Sequence, residues 1–253
     1  MSQNVEVGRR KKVSVVVVAQ KGAEGLLGLV ASARPQLKEG DEMFIVVGPP
    51  PADAPSDMTR EVADEIARQL PFVRVLINKG RSEASGYETG LRSCKGDHIF
   101  LAEPGDIWAP DKIAETLAAF SLSDVALILH DAELFDAERA TQLPSLFTLH
   151  EHKLSFHENL LQSPHLKGCF AFTEAFRKYF LPFPPEVSRL EKWMGLVAER
   201  FGGVALITRP LIKKTLGAPG ELESSNLAPG ISREERRELF KALKKREREL
   251  RKR

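Results

Sequence analysis

The chain has 253 residues, of which 42% are hydrophobic and 28% are charged, a composition typical of a globular protein with a substantial core. Its apolar runs, such as residues 15–19, are too short to cross a bilayer, and no long apolar segment with a cleavage site follows the basic residues 9–12. Neither a membrane span nor a secretory signal is therefore predicted. Two cysteines, Cys94 and Cys169, favour buried thiols in a reducing cytoplasm over a disulfide framework.

Charge is distributed unevenly along the chain. The formal net charge is +2, yet residues 232–253 carry 11 Lys and Arg against 5 Asp and Glu, and residues 1–12 carry four basic residues against Glu6. The remaining body of the chain is therefore acidic, which argues against a nucleic-acid-binding groove through it. The basic ends are expected either to contact an anionic surface or to keep the protein soluble.

The first 130 residues alternate predicted strands with predicted helices. Val13–Ala19 is a β-branched run of the kind found in strands that are buried on both faces. Pro110 suits the first turn of a helix that runs to Phe120. This alternation predicts an α/β fold, a mainly parallel sheet with helices on both faces. The predicted strands are residues 13–19, 43–47, 72–77, 98–102 and 125–129, and the clearest helices between them are 57–70 and 82–94.

The alternation loosens after Asp136, where the second half of the chain begins. An antiparallel strand, a helix and a last strand are predicted there at residues 167–173, 189–201 and 204–207. Gly, Pro, Ser and Asn are frequent after residue 217, which is typical of a linker. The predicted organisation is a basic lead (1–12), one domain (13–217, with halves 13–136 and 137–217), a linker (218–231) and a basic helix (232–253).

Leu239, Leu243 and Leu250 form a thin apolar stripe on the basic helix predicted for residues 232–253. The helix is expected to extend beyond the domain. Two interpretations remain open. In the first interpretation the helix lies on an anionic membrane surface. In the second it is solvated or packed on a partner.

Several short segments between residues 13 and 184 form an ordered series of motifs. An apolar strand is followed by an Asn-x-Gly-x-Ser loop, a helix ending in Gly-Leu, a Lys-Gly-Asp turn and an Ile-Trp-x-Pro-Asp-Lys segment. This series resembles that of the family-2 glycosyltransferases with the GT-A fold, and two later segments resemble their rhamnosyltransferase-like branch. The residues that carry the resemblance are 13–17, Asn78, Gly80, Ser82, Gly90-Leu91, Lys95-Gly96-Asp97, 107–112, Gly168-Cys169 and 181–184.

The resemblance implies a fold, a reaction and a location. It implies a GT-A domain in which residues 13–136 bind the nucleotide and residues 137–217 face the acceptor. It also implies transfer of a sugar from a nucleotide-sugar donor to a glycan or lipid-linked acceptor in polysaccharide biosynthesis, with Mg²⁺ or Mn²⁺. The protein would then be cytoplasmic or peripheral at the inner face of the membrane, with no nucleic-acid partner.

Six segments depart from the family pattern. Two of them are Val18-Ala19-Gln20-Lys21, in place of Pro-Thr-Tyr-Asn, and Tyr87-Glu88, in place of Arg-Asn in the third helix. Gly48 and three prolines replace the base-reading Asp-Asp-Gly-Ser, which predicts weak nucleotide binding with relaxed base choice. The metal-binding Asp-x-Asp-Asp, the catalytic-base segment and the late Tyr-Arg-x-His segment are replaced by residues 103–106, 190–193 and 213–216. A catalytically inactive relative that binds or scaffolds is therefore the alternative function. A nucleotidyltransferase would need a glycine-rich phosphate loop, for which Gln20-Lys21-Gly22 is a poor match.

The carboxylates left by these departures are the candidate catalytic and metal-binding groups. Glu103 and Asp106 are predicted to hold a metal ion through oxygen ligands; the alternative is a solvated acidic turn in which Asp106 caps the next segment. Glu191 is the predicted general base; the alternative is an exposed helix glutamate that pairs with Lys192 or Arg189.

The remaining candidates belong to the nucleotide side. Asn78, Gly80 and Ser82 allow close approach of a nucleotide, or they simply build a turn. Lys213 and Lys214 are predicted to contact the diphosphate in place of a metal, or to be solvated on a loop. Weaker candidates are Asp131 and a histidine group that more simply lies on a surface helix: His150, His152 and His157.

Overall fold

The computed structural model describes residues 10–19, 23–49, 58–80, 82–149, 156–161, 165–216 and 232–252. Its strands are β1 Val13–Ala19, β2 Glu42–Val47, β3 Val73–Ile77, β4 His98–Ala102, β5 Asp106–Trp108, β6 Leu127–Asp136, β7 Thr141–Gln142, β8 Phe170–Thr173 and β9 Val204–Leu216. Its helices are α1 Ala23–Ala33, α2 Thr59–Gln69, α3 Glu83–Ser93, α4 Lys112–Leu122, α5 Leu146–Leu149, α6 Phe156–Leu161, α7 Arg177–Phe180, α8 Leu190–Phe201 and, at the end, Arg233–Leu250, which is called the tail helix below.

The strands form one curled sheet in the order β3-β2-β1-β4-β8-β6-β9-β5, with β7 paired to β6. The first four strands of that order are parallel, which confirms the prediction for them. Every residue of β1, β2 and β4 is buried, as expected for strands covered on both faces. β8 is antiparallel to both of its neighbours, again as predicted.

The prediction was wrong about the length of the late strands. β6 continues to Asp136, and β9 continues to Leu216, so the two strands pair in parallel over most of their length. Charged residues such as Glu133 and Lys213 are interspersed among apolar ones there, which hides both strands from a search for apolar runs. Lys213 and Lys214 therefore lie on a strand and not on a loop.

The pairing of β6 with β9 contains an irregularity in its middle. β9 advances from Ile207 to Ile212 while β6 advances only from His130 to Ala132. Beyond this bulge β9 also forms an antiparallel ladder with β5, which places the end of β9 beside the turn that follows β4.

The tail helix is packed on the domain, which corrects the expectation that it extends beyond it. Leu239 and Leu243 are buried in the same core cluster as the strands. Arg246 is also buried and donates hydrogen bonds to the carbonyls of Tyr179, Leu181 and Pro182. The predicted helix is confirmed, but its apolar stripe faces the protein. Within the described part of the chain, no helix has the length and apolarity needed to cross a membrane.

Candidate active site

A tight turn joins β4 to β5 and carries the two carboxylates that the sequence proposes as metal ligands. Pro104 and Gly105 occupy its centre, and Gly105 has φ of +92°, which suits the third position of a type II turn. The Asp106 amide donates to the Glu103 carbonyl (3.1 Å), and the Glu103 amide donates to the Asp106 carboxylate (2.9 Å). Asp106 is fully buried, so the alternative of a solvated acidic turn is wrong.

Lys214 occupies the space between these two carboxylates. It lies directly opposite Asp106 in the β5–β9 ladder, where opposite charges stabilise a strand pair. Its Nζ is 2.9 Å from Glu103 Oε2 and 3.1 Å from Asp106 Oδ1. Lys213 lies on the other side of the strand, is largely exposed and pairs with Glu133 at 3.2 Å. The structure therefore brings one of the two candidate lysines to the carboxylates and not the other.

A second lysine, Lys167, extends the group. It stands in the short 3₁₀ turn before β8, with only 3% of its side chain exposed. Its Nζ lies 3.2 Å from Glu83, 3.2 Å from Glu103 and 3.7 Å from Glu191. These contacts define a carboxylate–lysine cluster at the carboxyl end of β4: Glu83, Glu103, Asp106, Lys167, Glu191 and Lys214.

Glu191 is in the first turn of α8, where negative charge is favoured by the helix dipole. It is 2% exposed, so the alternative of an exposed glutamate is wrong. Its Oε1 has no hydrogen-bond partner among the described residues. Burial raises the pKa of Glu191, and the nearby Lys167 opposes that rise. The result is a buried carboxylate with one oxygen that accepts no hydrogen bond from the described residues.

The two ammonium groups set the charge states of the cluster. Burial alone would raise the pKa of Glu103, but Lys167 and Lys214 outweigh it and lower that pKa to about 2. Burial raises the pKa of Asp106, which has one lysine partner instead of two. The carboxylates raise the pKa of both Lys167 and Lys214 against the effect of burial. Both lysines are therefore firmly charged.

The Ile-Trp-x-Pro-Asp-Lys motif (residues 107–112) packs beside the cluster through its last residue, Lys112. Lys112 is fully buried, donates to the Gly168 carbonyl at 2.7 Å, contacts His130 Nε2 and lies 4.7 Å from the centre of the Trp108 ring. A Cβ on Gly168 would stand 2.2 Å from Asp106 Oδ2, so only glycine allows this approach. The motif thus holds the Gly168 turn against Asp106.

Asn78, Gly80 and Ser82 build the loop between β3 and α3. The Asn78 carboxamide accepts from the Gly80 amide (3.0 Å) and the Ser85 hydroxyl (2.9 Å), and donates to the Ser82 carbonyl (3.1 Å). Ser82 caps α3 by accepting from the Ser85 amide. These contacts fit the turn interpretation. The loop reaches the cluster through Glu83, the first residue of α3, and its contact with a nucleotide stays a prediction.

The other sequence candidates lie outside the cluster. Asp131 is buried and accepts from the amides of Ala132 and Phe147, which is a structural role. His150 and His152 lie outside the described residues, as does the His157 side chain. In the described part of the chain, no group of three or more His, Cys, Asp and Glu side chains has the arrangement of a metal site.

The sequence did not indicate Lys167 or Glu83 as site residues, and it marked Tyr87 only as a departure from the family pattern. Tyr87 is buried, and its ring centre lies 6.0 Å from Lys167 Nζ. Lys167 and Glu83 are 84 positions apart, and no sequence pattern predicts their contact. The one available indication was a lysine inside the otherwise apolar segment 167–173.

Comparison with solved structures defines the class of fold as GT-A, the α/β fold of nucleotide-diphosphosugar transferases. A structure of S. aureus TarS 1-349 in complex with UDP-GlcNAc has a TM-score of 0.64 at 15% identity, covering 93% of this chain and 66% of that one. The mannosyltransferase PcManGT from Pyrobaculum calidifontis, in complex with GDP-Man and Mn²⁺, has a TM-score of 0.60 at 17% identity, covering 87% and 60%.

The sequence identifies the family within that fold. The family model for glycosyl transferase family 2 matches residues 14–181, well over half of the chain. The chain belongs to glycosyl transferase family 2. It is also 22% identical over 131 residues to an uncharacterized glycosyltransferase from Nostoc sp., covering 51% of this chain and 39% of that protein. Glu191 and Lys214 lie beyond the residues that the family model matches.

Proposed function

We propose that the protein transfers a sugar from a nucleotide-diphosphate donor to a hydroxyl group of a glycan or lipid-linked acceptor, with Glu191 as the general base. The observation that carries this proposal is the Glu191 carboxylate, buried beside Lys167 and with an oxygen free of partners among the described residues. It lies at the carboxyl end of β4, where open α/β sheets bind their ligands.

The reaction needs a base for the proton of the acceptor hydroxyl and a positive charge to stabilise the departing diphosphate. Glu191 removes the proton of the acceptor hydroxyl, whose oxygen forms a bond to the anomeric carbon of the sugar. The bond from that carbon to the diphosphate breaks, and the nucleoside diphosphate leaves with the electron pair. Lys214 and Lys167 stabilise the negative charge that develops on the leaving group. The neighbouring loop residues Asn78, Gly80 and Ser82 are assigned to the nucleotide.

A divalent cation is the usual partner of a diphosphate, and the structure of the mannosyltransferase PcManGT is of a complex with GDP-Man and Mn²⁺. The residues present here do not fit one. Glu103 and Asp106 supply the oxygens that Mg²⁺ or Mn²⁺ would need, but both already contact the Lys214 ammonium. No step of the proposed reaction is therefore routed through a metal ion.

Two further sequence features bear on the acceptor and on the base of the nucleotide. The resemblance of Gly168-Cys169 and residues 181–184 to the rhamnosyltransferase-like branch favours an acceptor used in polysaccharide biosynthesis. A lipid-linked acceptor would place the protein on an anionic membrane surface, on the cytoplasmic side. The absence of the base-reading aspartate favours relaxed base choice, so the affinities for UDP, GDP and dTDP are expected to differ by less than tenfold.

The test is donor turnover by Glu191→Gln. The amide keeps the size of the side chain but cannot accept the proton, so transfer or donor hydrolysis is expected to fall by roughly 100-fold to 10,000-fold. Glu186→Gln, an exposed glutamate just before α8, is the matched control and is expected to keep full activity. Full activity in Glu191→Gln would show that the base is a different residue.

The second candidate function is a binding protein without turnover. The observation that favours it is the pairing of both metal-type carboxylates with Lys214. Calorimetric titration with UDP, GDP and dTDP, followed by a turnover assay on the corresponding sugars, separates the two. Binding without turnover of any donor would favour the binding protein.

A further inference from the structure

Lys214 is positioned where it competes directly with a metal ion. Its ammonium group is about equally far from Glu103 and Asp106, at 2.9 and 3.1 Å, and only 14% of its side chain is exposed. The two carboxylates belong to one tight turn, and Lys214 approaches from the opposite strand. The position between two carboxylate oxygens is that of a bound cation.

Glu103 is shared between two ammonium groups. Its Oε2 contacts Lys214, while its Oε1 lies 3.2 Å from Lys167. A divalent ion needs carboxylate oxygens that are not already engaged, and it is repelled by positive charge close to its site. An ion entering here would have to displace one lysine and tolerate the other.

Lys214 also keeps some capacity for an anionic ligand. An ammonium group has three N–H donors. Lys214 uses two of them on Glu103 and Asp106, within the contacts of the described residues. A lysine is a compact point charge of the kind that binds phosphate.

We propose that Lys214, assisted by Lys167, is a built-in cation that excludes divalent metal from the carboxylate–lysine cluster and supplies the positive charge for a nucleoside diphosphate. The second half of this inference rests on the proposed function; the exclusion of metal does not. Two experiments separate them.

The first experiment measures Mn²⁺ binding directly, by electron paramagnetic resonance of free Mn²⁺ and by calorimetry, without any nucleotide. The wild-type protein is expected to show no saturable binding in the millimolar range. Lys214→Ala frees Glu103 and Asp106 and is expected to bind one Mn²⁺ at least tenfold more tightly. Lys213→Ala, which removes the neighbouring exposed lysine of the same strand, should gain nothing.

A further variant shows that the gained ion sits in the cluster. Glu103→Gln combined with Lys214→Ala is expected to lose the Mn²⁺ binding that Lys214→Ala gains. One Mn²⁺ per wild-type chain, lost in Glu103→Gln, would overturn the inference. This comparison is decisive even if Lys214→Ala fails to fold, because the wild-type protein and Glu103→Gln both retain Lys214.

The second experiment measures UDP and GDP affinity with EDTA and with Mn²⁺. Wild-type affinities are expected to agree within twofold in the two conditions. Lys214→Ala is expected to lose at least tenfold in EDTA and to recover in Mn²⁺. A wild-type gain of tenfold or more on adding Mn²⁺ would overturn the inference. Failure of the wild-type chain to bind either nucleotide overturns the proposed function and the diphosphate role together, while the first experiment still decides metal exclusion.

Discussion

Arg246 fixes the tail helix to the domain, and its removal offers a quantitative test of that attachment. Its guanidinium donates to the carbonyls of Tyr179 (2.5 Å), Leu181 (3.2 Å) and Pro182 (2.6 Å), and lies 5.4 Å from the Trp193 ring centre. Arg246→Ala leaves three carbonyls without this donor. A buried acceptor without a partner costs about 1–3 kcal/mol, and two of these bonds are only partly buried, so we expect a loss of about 3–5 kcal/mol.

The measurement is the free energy of unfolding from urea titrations followed by circular dichroism. Arg251→Ala, at the residue that follows the last turn of this helix, is the control, because its contact with Glu247 is exposed and such pairs contribute about 0–1 kcal/mol. A loss below about 1 kcal/mol in Arg246→Ala, or equal losses in both variants, would refute the idea that this residue anchors the helix.

Three further predictions concern other parts of the molecule. Gly168→Ala forces a methyl group against the Asp106 carboxylate and should lower the free energy of unfolding by about 1–3 kcal/mol, which urea titration measures. Burial raises the pKa of Glu199 to about 7, so its neutral form stabilises the fold at low pH and this contribution is lost as pH rises through 7. Glu199→Gln should therefore show a smaller fall in unfolding free energy between pH 5 and pH 8 than wild type; equal falls would contradict the assignment. Lys244→Glu with Lys245→Glu reverses charge on the exposed face of the tail helix and should weaken co-sedimentation with anionic vesicles, as should added salt; no wild-type binding at low salt would exclude a membrane role.

The early part of the fold was predictable because burial on both faces leaves a direct trace in the sequence. β1 and β4 are apolar at every position but Ser14 and His98, and both strands begin and end at the predicted residues. β5 and the late part of β9 leave no such trace. β5 has only three residues, and the late part of β9 mixes charged and apolar residues without a regular pattern, so both are recognised as strands only through their pairing in the sheet.

The site was predictable only where the motif series supplied a position. Glu103, Asp106 and Glu191 were proposed in that way, but their burial was not foreseen. Lys167 joins the cluster from a distant part of the chain, so its contact is set by the packing of the 3₁₀ turn before β8 and by no local pattern. Lys213 and Lys214 are chemically identical in the sequence, and only the facing of β9 distinguishes them.

That facing depends on the bulge between β6 and β9. Over this bulge β9 takes five steps, from Ile207 to Ile212, while β6 takes two, so β9 carries three extra residues. Because side chains alternate along a strand, an odd number of extra residues reverses which side each later residue faces. If a single-residue deletion within 208–211 were accommodated by a one-residue slip of the later part of β9 against β6, Lys213 would turn to the side of Glu103 and Asp106, and Lys214 would face solvent. The length of the bulge therefore determines which residue of β9 faces the cluster. Family members whose bulge differs by one residue should carry the cluster lysine one position earlier or later, counted from the start of β9.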